Sequence, residues 1–172
     1  MIASVAGRVS AHTATGVVVV VGGVGLAVQT TPGTRARLRT GEDAALATSL
    51  VVREDSLTLY GFETDDEREL FEVLQTASGV GPKVAQAVLT VHTPDAVRRA
   101  LATEDLTALT LVPGIGRKGA QRMVLELKDK LGLVGSAPPG TAGGWRDTLS
   151  EALTGLGWTQ AQADEVVVGL AA

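Results

Sequence analysis

Ser78-Gly79-Val80-Gly81-Pro82-Lys83 and, 35 positions later, Pro113-Gly114-Ile115-Gly116-Arg117-Lys118 are two copies of one pattern. Gly79 aligns with Gly114, Val80 with Ile115, Gly81 with Gly116 and Lys83 with Lys118, and Ala85-Gln86 and Ala120-Gln121 continue the match. Each copy reads as a Gly-aliphatic-Gly turn that opens a helix. Glycine permits positive φ and lets another backbone come close. Pro82 falls at a first helical position, where its missing N–H costs nothing. The start of such a helix offers unpaired N–H groups and the positive end of the dipole, which together bind phosphate.

One such turn would be a weak sign, because Gly-x-Gly starts many helices for packing reasons alone. Two copies in one short segment, each followed by a Lys, shift the weight towards a ligand. The pattern resembles a tandem helix-hairpin-helix, a module that grips the DNA backbone without reading bases. The candidate DNA-binding residues are Gly79, Gly81, Lys83, Gly114, Gly116, Arg117, Lys118 and Arg122. The competing reading is a pair of structural helix caps.

The 172 residues suffice for one ordinary domain or two to three small ones. Hydrophobic residues make up 45% but aromatics only 3%, so the cores must be built from Val, Leu, Ile and Ala. The absence of cysteine excludes disulfides, thiolate metal sites and a Cys nucleophile. His12 and His92 are isolated surface or edge residues by this reading; neither a metal nor a cofactor is expected. No Gly-x-x-x-x-Gly-Lys-Ser/Thr sequence is present, so ATP hydrolysis would have to come from a partner. The first eight residues lack a basic n-region and an apolar h-region, and the apolar run from Val17 to Val28 is too short to span a bilayer. A cytoplasmic protein with no membrane partner is expected.

A net charge of −4 argues by itself against DNA binding. Its distribution says more. Residues 1–62 carry five basic and four acidic side chains, residues 63–131 nine and eleven, and residues 132–172 one and four, giving +1, −2 and −3. The basic residues of the middle region gather near the two turns, while its acids lie mostly at the starts of other helices. A local basic face on an acidic protein remains a usable phosphate site.

Taken in order, the chain predicts an α+β multidomain protein. Residues 1–62 show five Val-rich runs, Met1–Ser10, Thr15–Val21, Gly25–Thr30, Ala44–Arg53 and Ser56–Phe62, with a short helix or turn at Pro32–Leu38. Five short strands with a small helical insert suit a barrel of the OB-fold type. Gly22-Gly23 precedes a strand, so it reads as a hairpin connection and not a dinucleotide loop. Residues 63–131 read as helical: Thr64 to Glu67 as a capping box, Thr93-Pro94 and Thr103–Asp105 as further starts, and a long helix from Arg117 to about Leu131. The expected core is Leu70, Phe71, Val88, Leu101, Leu109, Val124 and Leu127. Residues 132–144 hold five Gly and two Pro in thirteen and read as a flexible linker. Residues 145–172 read as two short helices.

In this order the segments resemble the RuvA family of Holliday-junction branch-migration subunits. The resemblance rests on Val52-Arg53-Glu54-Asp55-Ser56-Leu57-Thr58-Leu59-Tyr60-Gly61-Phe62, on the two glycine turns and on Val124-Leu125-Glu126-Leu127-Lys128-Asp129-Lys130. It implies a non-catalytic subunit that binds four-way junction DNA as a homotetramer or octamer and holds it open and square. It also implies recruitment of the RuvB hexameric ATPase motor and contact with the RuvC resolvase. Glu54 and Asp55, which alone would read as a solvated turn, become an acidic pin that repels phosphates at the crossover. Leu153, Leu156 and Trp158 become the motor-docking face, where a small helical core is the plain alternative. The family's tail is a three-helix, UBA-like domain, and residues 145–172 match only two helices of it.

Two other classes remain to be weighed. Base-excision glycosylases also use a helix-hairpin-helix, and that resemblance requires a catalytic Asp roughly twenty residues after the turn. Position 136 is Ser, and the nearest acid, Asp129, lies on the helix itself. A protein scaffold would use the turns only for packing. On the last helix, Arg122 with Glu126 and Glu126 with Lys130 stand four residues apart, which suits ion pairing within one helix or between subunits.

Overall fold

β-branched residues at alternating positions set the N-terminal strands, because successive side chains in a strand face opposite sides. The computed structural model describes residues 2–134 together with 153–155, 158, 159 and 162. Strands β1 (Ser4–His12), β2 (Gly16–Val21), β3 (Val24–Thr30), β4 (Asp43–Val52) and β5 (Leu57–Phe62) close into a barrel in the order β1-β2-β3-β5-β4. Helix α1 (Pro32–Arg37) is inserted after β3. β3 and β5 run parallel and the other neighbouring pairs antiparallel. The barrel interior is Val5, Val9, Val17, Val19, Val28, Leu46 and Leu59, an aliphatic filling that matches the scarcity of aromatics. Gly22 and Gly23 form the two-residue loop between paired Val21 and Val24, at φ of +57° and +87°. Both signs are those of a type I′ hairpin, so the hairpin reading holds.

Five helices follow: α2 (Asp65–Leu74), α3 (Pro82–Val91), α4 (Pro94–Ala102), α5 (Leu106–Thr110) and α6 (Arg117–Val134). Their starts are set by side-chain caps. Thr64 Oγ1 accepts the Glu67 N–H at 3.2 Å. The Glu67 carboxylate, however, accepts the N–H of Glu63, one residue before the cap, at 2.9 Å. Thr93 caps α4, and Asp105 caps α5 by accepting the Ala108 N–H at 3.0 Å. Gly132 does not stop α6, which runs three residues beyond the expected Leu131. All seven residues expected in the core are buried. His92 serves packing: its Nε2 donates to the Ala108 carbonyl at 2.9 Å and so ties α3 to α5.

The few aromatics are concentrated where barrel meets helices. Phe71 on α2 lies against Phe62 and Tyr60 of β5, with ring centroids 4.8 and 4.9 Å apart in tilted geometry. These are the chain's two Phe and its one Tyr. Tilted aromatic pairs add about 0.5–1.5 kcal/mol each beyond area burial. β5 thus presents one face to the barrel interior through Leu59 and the other to the helical core. Residues 1–133 make one compact unit, and residues 134–172 belong to a second. The linker segment from 135 onward lies outside the described residues.

Candidate nucleic-acid interface

The two turns have the same backbone. Gly79 and Gly114 hold φ of +85° and +90°, values that favour glycine. Val80 and Ile115 between the glycines are buried plugs, and their N–H groups bond back to Ala77 and Val112 at 3.1 and 3.0 Å. Gly81 and Gly116 then start α3 and α6. Their carbonyls accept the first helical bonds, from Ala85 and Ala120, at 2.9 Å each. The N–H groups of Lys83 and Val84, and of Arg117, Lys118 and Gly119, have no carbonyl four residues back within the helix.

The second glycine of each turn has a different explanation from the first. Gly81 sits at φ −88°, which any residue adopts, and Gly116 is likewise outside the left-handed region. A Cβ built on either would meet nothing within 4 Å. Neither conformation nor internal packing requires glycine there. Both positions immediately precede the unpaired N–H groups of their helices.

The turns are neighbours in space. A Cβ on Gly114 would lie 3.7 Å from Val84 Cγ2 of α3, and one on Gly79 would lie 4.0 Å from Arg122 Nη1 of α6. Arg122, expected to serve the second turn, therefore also reaches the first. Lys83, Arg117, Lys118 and Arg122 are exposed, and among the described residues none of the four is in an ion pair. Several other basic residues are neutralised locally: Arg98 by Asp66 and Asp95, Arg68 by Asp65, Glu69 and Glu72, Arg37 by Glu63.

Glu126 is used differently from its sequence expectation. It does not stand in an ion pair with Arg122 or Lys130; its carboxylate accepts the Ser78 N–H at 2.7 Å and so clamps the first turn to α6. That hydrogen bond, first, and then the nearby positive charges of Arg122 and Lys130 hold the carboxyl below its ordinary range. Lys130 donates to Thr76 Oγ1 at 3.1 Å, a second tie to the same segment.

Glu54 and Asp55 sit exposed at the tip of the β4–β5 hairpin, closed by the Arg53 N–H to Ser56 carbonyl bond at 2.9 Å. Asp55 Oδ1 accepts from Ser56 Oγ at 3.3 Å. The hairpin flanks the first turn: a cleft of about 410 Å³ is lined by Arg53, Asp55 and Ser56 on one side and by Gly81, Pro82 and Lys83 on the other. Arg53 is a candidate contact that sequence reasoning passed over, since only the fold brings it beside Lys83. In the second unit, Trp158 is 46% exposed and its N–H bonds to the Leu153 carbonyl at 3.1 Å; Leu153 is half-buried. Leu156 lies outside the described residues. Among the described residues no cluster of three or more His, Asp or Glu could hold a metal ion, and no helix is long and apolar enough to cross a membrane.

A closed five-strand barrel joined to paired Gly-x-Gly helix starts defines the class, a barrel with a tandem helix-hairpin-helix. Comparison with known proteins narrows it. Residues 1–61 match the family described as RuvA N terminal domain, and residues 71–129 match the SAM-like helix-hairpin-helix tandem. The Holliday junction branch migration complex subunit RuvA of Salinispora tropica is 62% identical over 175 residues, covering 99% of this chain and 88% of that protein. The proteins of the same name from Streptomyces coelicolor and Thermobifida fusca are 62% and 56% identical, over 99% and 100% of this chain and 87% and 89% of theirs. The chain belongs to the RuvA family of Holliday junction branch migration complex subunits.

Proposed function

We propose that this chain binds four-way junction DNA by its sugar-phosphate backbone, through the two glycine turns, as the non-catalytic subunit of a branch-migration complex. The observation that carries the reading is the pair Gly81 and Gly116. Glycine at these two positions answers no need inside the chain, and it leaves room for a phosphate at the helix starts. Lys83, Arg117, Lys118 and Arg122, none of them held in an ion pair among the described residues, supply the charge. Contacts of this kind fix DNA without reading its sequence, which suits a protein through which DNA must slide.

Family membership supports the remaining roles of this reading. Four copies around the crossover would bring eight carboxylates of Glu54 and Asp55 together, repelling phosphates and steering the strands outward. The barrel through residue 62 would form the centre of that assembly, and residues 63–131 would grip the arms. Residues 132–144 would tether residues 145–172, whose Leu153, Leu156 and exposed Trp158 would dock a RuvB-type hexameric ATPase. A tetramer, alone or doubled to an octamer, access for a RuvC-type resolvase, and a cytoplasmic location belong to the same reading.

The test is a salt titration of junction binding with Lys118→Ala and Arg122→Ala. Each variant loses affinity about equally across DNA sequences, and the slope of log K against log salt falls by roughly 0.9 per phosphate contact removed. A changed base preference with an unchanged slope contradicts a backbone grip.

A further inference from the structure

A second cavity, of about 360 Å³, lies between α3 and the barrel and shares Tyr60 and Lys83 with the cleft at the first turn. Its lining includes Thr30, Arg35, Gln86 and Thr90. Two buried polar atoms in this lining have no hydrogen-bond partner, Thr30 Oγ1 and Gln86 Nε2. Thr30 is only 5% exposed. Among the described residues just one other buried side-chain atom is unpartnered, Arg98 Nε, so the two orphans are gathered in one place. A buried polar group left without a partner bears the full loss of its hydration, so such a pair points to something that completes it.

The chemistry of the lining says what that something is. No carboxylate lines the cavity, whereas Arg35 and Lys83 bring two positive charges. The Arg35 guanidinium is fixed at the rim, its Nη1 donating to the carbonyls of Thr13 and Ala14 at 3.2 and 2.6 Å. The Gln86 amide and the Thr30 hydroxyl supply neutral donors. The volume is of ligand size, well above that of a single water. The repeat adds a contrast. Gln121, which matches Gln86 in the second copy, is exposed and borders a cleft that contains Glu104. Only the first copy has its glutamine enclosed against the barrel among cations.

We propose that this cavity takes a phosphate group, with Gln86 Nε2, Thr30 Oγ1 and Lys83 as its donors. Lys83 lines both cavities, so a DNA backbone seated on the first turn would place a neighbouring phosphate here. The DNA source rests on the function proposed above, while the phosphate chemistry does not.

Two arms separate these. In the first, inorganic phosphate is titrated into the full chain at matched ionic strength against chloride. The Gln86 side-chain amide signals, identified by their loss in Gln86→Leu, are followed by NMR. They are expected to shift saturably, and not to shift in Thr30→Val. In the second arm, the Thr30→Val/Gln86→Leu double variant is titrated with four-way junction DNA. Its affinity is expected to fall severalfold at fixed salt, with the salt slope little changed because Lys83 keeps its charge. Circular dichroism establishes that the variants keep the fold. A shift with phosphate and an unchanged junction affinity identifies a site for free phosphate or a phosphorylated small molecule. No shift and no affinity change overturns the proposal and leaves a water-filled seam. Failure of the unmodified chain to bind junction DNA would refute the proposed function, and the phosphate arm would still decide the cavity.

Discussion

Gly79 and Gly114 hold the same backbone conformation, at φ +85° and +90°, yet the turns they make are braced differently. The first turn is walled. The Glu126 carboxylate clamps its Ser78 N–H, Arg122 approaches Gly79, and the β4–β5 hairpin faces it across a cleft. The second carries the denser charge, Arg117 and Lys118 in sequence, and neither the barrel cleft nor the barrel cavity includes it. Duplication of a motif therefore fixes local backbone geometry and the offered N–H groups. What surrounds each copy is decided by long-range packing, which sets the first turn beside the hairpin and leaves the second outside both cavities.

The largest expected effect tests the part the turns share. Gly79→Ala and Gly114→Ala should each lower unfolding stability by about 1–3 kcal/mol in urea titration, since a non-glycine residue is strained in the left-handed region. Similar losses at the two sites match the common backbone; a loss at one alone would break the equivalence.

Next comes the acidic tip, which borders only the first turn. Glu54→Gln/Asp55→Asn should strengthen binding of linear duplex more than of junction DNA, on the order of 1 kcal/mol, because like charges facing phosphates are removed. The barrel should stay folded, as both side chains are exposed. Coupling sharpens the comparison: the gain should be non-additive with Lys83→Ala, which shares the cleft, and additive with Lys118→Ala. Unchanged affinity for both DNAs would make the pair an ordinary solvated turn.

The smallest effect concerns the clamp. The Glu126 pKa is lowered in the fold, chiefly by the Ser78 N–H bond. Its contribution is thus present above the unfolded carboxylate pKa, about 4.3, and is lost as pH falls through the lower folded value. Hydrogen exchange of the Ser78 amide should quicken in Glu126→Ala at neutral pH, with the Ile115 turn unaffected. Equal quickening in both turns would show that the clamp is not specific to the first.

Much of this architecture was legible in the sequence. Strand runs, caps and the seven core positions follow from period and local chemistry, which act over a few residues. The duplicated turns were equally plain, but which glycine of each pair takes positive φ was not. The rest depended on contacts between distant segments. Nothing local ties Glu126 to Ser78, 48 residues away, and the i,i+4 spacing suggested ion pairs in its place. Arg53 gains meaning only when the hairpin lands beside Lys83, and Gln86 only when its helix face closes on the barrel. Tyr60 and Phe62 looked like ordinary strand residues, yet with Phe71 they join the barrel to the helices.

The most direct measurement replaces the two glycines that the chain itself does not need. Serine is at least as good as glycine at a helix N-cap, so Gly81→Ser/Gly116→Ser should leave unfolding stability unchanged or slightly raised. Its side chains would occupy the open space at the helix starts. Junction affinity, measured by titration at fixed salt, is expected to fall at least tenfold while stability holds. Retained affinity in this stable double variant would contradict the account and reduce both turns to helix caps.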